Sequence, residues 1–403
     1  MQNLDFLKFQ STILNMINRL LTDDIKSKLF KGKAIFIYGP RQAGKTTLVN
    51  ELIKNQKLDV VTLSGDDDTT QSLFDTVTIS RWTQILGSKK CVFIDEGHKV
   101  KNLGRSIKLL VDSRKDVQVI VTGSSSFKLA TLSEEPLTGR KFEYKLMPLS
   151  YQELVDHYGF VDERKNLELR LIYGSYPEVV TSQQTSQKPS QASQQDMKEI
   201  LTLISDSYLY KDLFQYEGIR KPQVLEKLLK ALALQCGSEV SENELATLLG
   251  VSRTLVESYL QLLIQAYIVF PLTSYSTNQR NELKKSCKYY FWDNGIRNSI
   301  LKDFTPLPQR NDIGILFENY LVSERLKRNL YSKADGLPYF WRTTDQMEVD
   351  YIEAVGTKLS AYEFKYNPAK HSRISKAFTN RYPEAELQTI TSDNYDSFLR
   401  DEI

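Results

Sequence analysis

The chain has only three cysteines, Cys91, Cys236 and Cys287, an odd number set far apart. That excludes a disulfide framework and a zinc knuckle, and it predicts a cytoplasmic protein in a reducing compartment. Long uncharged apolar runs are missing as well. The most apolar segment, Leu262-Leu263-Ile264 to Phe270, is broken by Gln265 and is too short to span a bilayer. The opening Met1-Gln2-Asn3-Leu4-Asp5 lacks the basic flank of a secretory signal, so no membrane partner is expected. Net charge is only +3, which excludes a global field for nucleic acid or lipid; any basic surface has to be local. What remains is an ordinary globular composition, 41% hydrophobic and 26% charged over 403 residues, enough for several domains with real cores.

Against that background one stretch organises the rest: Gly39-Pro40-Arg41-Gln42-Ala43-Gly44-Lys45-Thr46-Thr47. Apolar Ala34-Ile35-Phe36-Ile37-Tyr38 precedes it, and Leu48-Val49-Asn50-Glu51-Leu52-Ile53 follows with helical spacing. Strand, glycine loop and helix N-terminus therefore come in the order a phosphate-binding P-loop requires. Gly39 and Gly44 let backbone N–H groups turn inward, the helix dipole favours an anion, and Lys45 reaches the terminal phosphates. The pattern predicts ATP as ligand, with the Thr46 hydroxyl on Mg²⁺. Downstream, Cys91-Val92-Phe93-Ile94 ends in Asp95-Glu96. A buried strand of this kind would deliver Asp95 to the Mg²⁺ shell and Glu96 to the attacking water as general base; alternatively the pair is a solvated strand end.

The phrases Gly-Pro-Arg-Gln-Ala-Gly-Lys-Thr-Thr-Leu, Phe-Ile-Asp-Glu, Thr-Gly-Ser-Ser and Gly-Arg, followed by Met147-Pro148-Leu149-Ser150-Tyr151-Gln152-Glu153, resemble prokaryotic AAA-type ATP-binding proteins fused to a C-terminal domain of unknown function. The resemblance runs nearly end to end and implies ATP hydrolysis. It implies a first sensor after the strand Val117–Val121, for which Ser124 is the candidate; the serines there would otherwise cap a helix. It also implies an arginine finger just before the fifth strand, at Arg140, acting in trans in a homo-oligomer; otherwise Arg140 is a plain surface arginine. Where the family follows its Asp-Glu pair with an apolar residue and Gln, this chain has Gly97 and His98, so His98 receives no catalytic role.

Beyond the first division, residues 1–150, Ser150 to Glu153 reads as a capping box that opens a helical lid, 151–217. Inside it the Ser/Gln-rich tract 181–195 is expected to be a flexible loop. A division at 218–295 shows helix-turn-helix spacing: a short helix Leu245–Leu249, a turn at Gly250, and a longer helix Arg253–Ala266. Two strands joined by a loop with Arg280, Lys284 and Lys285 complete a winged helix. Its second helix presents Arg253, Thr254, Glu257, Ser258 and Gln261, a nearly neutral face, so any DNA contact would come from the wing to the backbone; a spacer role is the alternative.

The last division, 296–403, pairs Glu318 on an apolar helical stripe with two strands. Glu348 and Asp350 share one face of the first, Glu363 and Lys365 one face of the second. The order helix-Glu, Asp, then Glu-x-Lys resembles the restriction-endonuclease-like nuclease core. By that resemblance Asp350 and Glu363 hold Mg²⁺, Lys365 activates water and Glu318 supports the metal. Three readings stay open: an active nuclease, a silent relative that binds nucleic acid or protein, or surface charge. The expected architecture is thus α/β: a P-loop NTPase (AAA-type) parallel sheet, helical lid, winged helix-turn-helix and C-terminal restriction-endonuclease-like domain. The expected function is an ATPase acting on or regulated by DNA or RNA. The alternatives are a regulatory switch with a silent C-terminal domain, or a winged-helix DNA-binding regulator.

Overall fold

A computed structural model describes residues 16–76, 78–124, 137–182, 190–206, 221–276, 287–343, 347–369 and 376–400. The chain divides into two units, Met1–Pro148 with Gln265–Tyr267, and Leu149–Ile264 with Ile268–Ile403.

The first unit alternates strands and helices: α1 (Leu21–Lys28), β1 (Ala34–Tyr38), α2 (Lys45–Asn55), β2 (Val60–Ser64), α3 (Asp68–Leu73), α4 (Ile79–Leu86), β3 (Cys91–Asp95), α5 (Leu103–Ser113), β4 (Gln118–Gly123) and β5 (Lys141–Lys145). The five strands form one parallel sheet in the order β2-β3-β4-β1-β5. Helices cover parallel sheets on both faces, which is why β1 and β4 are buried along their whole length and β1 reads as an unbroken apolar run. Phe36, Val92, Ile94, Val119 and Val121 pack with Trp82, Ile107 and Leu110 in the core. Because β4 lies between β1 and β3, its C-terminal end separates the glycine loop from the Asp95-Glu96 pair. All three strand ends open at the same edge, where ligands of open α/β sheets bind.

The second unit opens with the expected capping box. Ser150 Oγ accepts from Glu153 N at 3.3 Å, and Ser150 N donates to Glu153 Oε2 at 2.9 Å. Helices α6 (Tyr151–Tyr158), α7 (Phe160–Lys165), α8 (Leu167–Tyr173), α9 (Pro177–Thr181) and α10 (Gln191–Ser205) follow. The expectation of a loop through residue 195 needs correction. Ser190 caps α10, accepting from Ser193 N, and Met197, Leu201 and Ile204 anchor the helix in the core, so its polar first turn becomes ordered. Residues 183–189 lie outside the described residues.

Next come α11 (Pro222–Leu234), β6 (Glu239–Val240), α12 (Glu242–Leu249), α13 (Arg253–Gln265), β7 (Val269–Thr273) and β8 (Cys287–Phe291), with the strands antiparallel in the order β6-β8-β7. Arg280, Lys284 and Lys285, expected to form a wing, lie outside the described residues. Then α14 (Asn294–Leu301) and the long α15 (Ile313–Ser332) lead to β9 (Leu337–Arg342), β10 (Glu348–Val355), β11 (Lys358–Lys365), α16 (Lys376–Arg381), β12 (Glu386–Thr391) and α17 (Tyr395–Leu399). The second sheet has the order β12-β11-β10-β9, with β12 parallel to β11 and the other pairs antiparallel. Helix α14 packs against α8, α10, α11 and α15, so the segments divided at 217 and 295 by sequence share one unit. No described helix is long and apolar enough to cross a membrane.

Candidate functional site

The loop after β1 is shaped by close backbone approaches. A Cβ on Gly39 would stand 2.0 Å from the Leu146 carbonyl oxygen, so glycine is required there. Gly44, at φ 91°, sits at the N-cap of α2 in the left-handed region. Lys45 is only 6% exposed, and its ammonium donates to the carbonyls of Gly39 at 3.0 Å and Pro40 at 2.7 Å. The charge is thus folded into the loop where phosphate oxygens would replace those carbonyls. Burial pulls the Lys45 ammonium down to about 8, against the opposing pull of Glu96 and Asp95. Arg19, also buried, holds the loop from outside: its guanidinium donates to Ala43 O and to Met147 O, each at 2.6 Å.

At the neighbouring strand ends Thr46 Oγ1 donates to Asp95 Oδ2 at 2.9 Å, and the Thr122 hydroxyl donates to Asp95 Oδ1. A hydroxyl and a carboxylate at one point form the all-oxygen donor set that suits Mg²⁺, so Thr46 and Asp95 fit the cation expected there. Glu96 is the next residue and adopts φ 48°. Its Oε2 lies 3.1 Å from His98 Nδ1. Burial raises the Glu96 carboxyl, but His98, Lys45 and Arg41 outweigh it and bring it down to about 2. The carboxylate is therefore ionised at neutral pH, the state a base needs.

Ser124 is buried immediately beyond β4, but the β4 side chain bonded to Asp95 is Thr122, two residues earlier. Residues 125–136 lie outside the described residues, so the helix-capping alternative for Ser124 falls there too. Arg140 precedes β5 at the far end of the sheet: its carbonyl accepts from Ala34 N, at the start of β1, whereas the P-loop leaves the end of β1. It lies away from the glycine loop of its own chain, and its Nε pairs with Asp112 Oδ1 at 2.7 Å.

The second unit brings Glu318, Asp350, Glu363 and Lys365 near one another. Lys365 Nζ donates to Glu363 Oε1 at 2.8 Å, and Phe364 N donates to Asp350 Oδ2 at 2.8 Å. Burial, with Glu318 and Glu363 nearby, holds the Asp350 carboxyl well above the usual carboxylate range. The cluster also contains a cation not foreseen in the sequence. Lys288 of β8, 1% exposed, has Nζ 3.3 Å from Glu318 Oε1 and pairs with Glu348. Tyr290 OH donates to Glu318 Oε1 at 2.7 Å. Among the described residues, no group of three or more His, Cys, Asp or Glu is arranged to hold a metal.

Arg19, Thr122 and Lys288 escaped the sequence reading, and His98, which it singled out, was given no role there. Thr122 closes an apolar strand, and that position alone was a usable signal. The other three depend on contacts far along the chain or on a local turn, and no spacing rule marks them.

Residues 31–155 match the AAA domain family, 164–307 match a domain of unknown function (DUF8612), and 313–400 match another (DUF4143). With its parallel sheet and glycine loop, the first unit has a P-loop NTPase fold. An uncharacterized protein of Methanocaldococcus jannaschii is 25% identical over 95% of this chain and 87% of its own length. An uncharacterized protein of Mycobacterium tuberculosis is 27% identical over 91% and 77% respectively. Among solved structures, a Bacteroides Pif1 bound to ssDNA aligns at TM-score 0.25 and 12% identity, over 38% of this chain and 50% of that one.

Proposed function

We propose that the chain is an AAA-type ATPase that binds and hydrolyses ATP, coupled to modules that act on or are regulated by nucleic acid. The observation that carries the reading is the 2.9 Å contact of Thr46 with Asp95 beside the buried Lys45 ammonium. In this reading the backbone N–H groups from Gly39 to Thr47 and Lys45 hold the phosphates, and Thr46 and Asp95 hold Mg²⁺. The cation, when bound, would neutralise charge on the phosphate oxygens. Glu96 orients and deprotonates the attacking water, Ser124 senses the terminal phosphate, and Arg140 serves a second copy of the chain. Three free cysteines, Cys91 and Cys236 buried and Cys287 half-buried, support a cytoplasmic setting.

For the second unit, the order helix, strand, helix, turn, helix, hairpin from α11 to β8 supports a winged helix. The order helix, three strands, helix, strand from α15 to β12, with Asp350, Glu363 and Lys365 on adjacent strands, supports a restriction-endonuclease-like domain. Specific base reading by α13 is disfavoured, because Arg253 is already paired with Glu242 and Glu257 at 2.8 and 2.7 Å. A second reading, a regulatory ATPase whose C-terminal domain is silent, is favoured by Lys288 within the acidic cluster.

ATP turnover by the full chain tests the main reading. Lys45→Ala should abolish ATP binding or turnover, and Glu96→Gln should bind ATP without turning it over. Unchanged turnover in either variant would overturn the assignment of that residue. Incubation with linear, circular and single-stranded DNA and with RNA, with and without ATP, separates the readings of the second unit: tight preference for one duplex sequence would favour a DNA-binding regulator.

A further inference from the structure

Lys288 stands on β8, outside the α15–β12 segment, yet its side chain enters that segment's acidic cluster. The ammonium is fully engaged: Glu318 Oε1 at 3.3 Å, Glu348, and the face of the Phe340 ring at 5.4 Å. The carboxylates that a nuclease would turn toward a cation are satisfied by protein donors as well. Tyr290 OH takes Glu318 Oε1 at 2.7 Å, Lys365 takes Glu363 Oε1 at 2.8 Å, and Phe364 N takes Asp350 Oδ2 at 2.8 Å. A divalent cation needs several oxygen lone pairs converging on one open point. A buried ammonium beside that point repels a second positive charge, and the low local dielectric strengthens the repulsion. The residues present do not fit a catalytic metal.

We infer that the Lys288 ammonium takes the place of a divalent cation among Glu318, Glu348, Asp350 and Glu363, so that this module holds no catalytic metal and cleaves no nucleic acid. The inference rests on the restriction-endonuclease-like reading of α15–β12. It makes the cluster an internal tie: one side chain of β8 fastens α15 through Glu318 and β10 through Glu348, a role that metal-bridged carboxylates play elsewhere.

The test uses the nucleotide-free full chain carrying Thr46→Ala, which removes the hydroxyl ligand at the P-loop. Mn²⁺ is titrated and followed by water-proton relaxation. The expected result is no Mn²⁺ binding that Asp350→Asn can remove, and no cleavage of DNA or RNA. Adding Lys288→Gln should then create a Mn²⁺ site, at least about tenfold tighter than any seen before and lost again with Asp350→Asn. Should Lys288→Gln not fold, Lys288→Met keeps an aliphatic stem over Phe340 and is read in the same way. Asp350-dependent Mn²⁺ binding with Lys288 intact would overturn the inference while leaving the nuclease-like reading standing. Absence of a new site after Lys288 is replaced would overturn both, since the carboxylates would then not be a metal cluster at all.

Discussion

His98 Nδ1 lies 3.1 Å from Glu96 Oε2, and Glu96 itself sits in the left-handed region at φ 48°. A residue with a side chain occupies that region at a cost, so something has to hold the turn. The hydrogen bond from Lys99 N to Glu96 O at 3.0 Å fixes its backbone, and the His98 ring packs against its carboxylate. His98 is therefore a positioning residue for the proposed base. His98→Ala should lower kcat by roughly tenfold to a hundredfold, the cost of letting a reacting group wander, while leaving the Kd for ATP nearly unchanged. Equilibrium binding and steady-state turnover on the same preparation separate the two. His98→Gln, which keeps a polar side chain beside Oε2, should recover part of the loss. A fall in ATP affinity equal to the fall in turnover would point to a plain loop defect instead.

Arg140 belongs to the wrong end of the sheet for its own site and is paired with Asp112 at 2.7 Å. If it completes a second copy's site, a chain with Arg140→Ala but an intact P-loop and a chain with Lys45→Ala but an intact Arg140 should restore each other's activity on mixing. Neither should turn over ATP well alone. Specific activity of the natural chain should also rise with protein concentration. Mixtures that stay inactive, together with a constant specific activity, would assign Arg140 to the surface pair with Asp112 alone.

The P-loop strand, the Asp95-Glu96 strand end and the capping box at Ser150 were legible because each is a local pattern. Apolar runs mark strands buried on both faces, glycines mark turns, and Ser-x-x-Glu marks a helix start. The face-sharing of Asp350 with Glu348 and of Glu363 with Lys365 was legible for the same reason, since strands alternate with period two. Charged groups buried by distant partners were not legible. Arg170 and Glu163 carry no sequence mark of burial, yet both are fully buried and doubly bonded, at 2.8 and 2.9 Å. Lys288, at the head of an aromatic strand, carries no mark of the acidic cluster it enters. Sequence spacing gives the face of an element, not what another element brings to it.

The Arg170–Glu163 pair yields a stability prediction of its own. Removing one partner of a buried ion pair leaves the other charge uncompensated, so Glu163→Gln should cost about 3–5 kcal/mol. Urea unfolding of the full chain measures this as a lower midpoint with little change in slope. Replacing both by apolar residues of similar volume should cost far less than either single change. An equal loss in the double variant would mean that packing, not charge, dominates.

Burial pushes the Cys91 and Cys236 thiols up to about 12. Both should therefore stay unreactive in the native chain at pH 8, with Cys287 the first to label and all three labelling in denaturant. The sign for stability follows from linkage. A folded thiol that keeps its proton to higher pH than the unfolded one makes the folded state bind more protons, so stability falls as pH rises. The window runs from the usual thiol range up to about 12, and each thiol contributes a loss of about 1.4 kcal/mol per pH unit within it. A chain with Cys91→Ala and Cys236→Ala should show a shallower decline in urea midpoint between about pH 9 and 11. An unchanged slope would assign the alkaline loss to other groups.

Gly65 follows β2, and its N–H donates to Asp95 O at 2.8 Å. A Cβ built there would stand 2.2 Å from the Glu96 carbonyl oxygen, closer than any real contact, and the obstructing atom is backbone, which yields only by moving the turn. Gly65→Ala should therefore displace Glu96 while sparing Lys45 and the glycine loop, which hang from β1. The expected phenotype resembles Glu96→Gln: ATP bound with near-normal Kd, and kcat reduced by on the order of a hundredfold, as expected for a misplaced base. Binding measured by calorimetry and turnover measured by phosphate release make the comparison. If Gly65→Ala instead loses ATP affinity and keeps its kcat, the β2–β3 contact supports the phosphate loop and not the carboxylate, and Glu96 would lose its place as the residue this turn exists to hold.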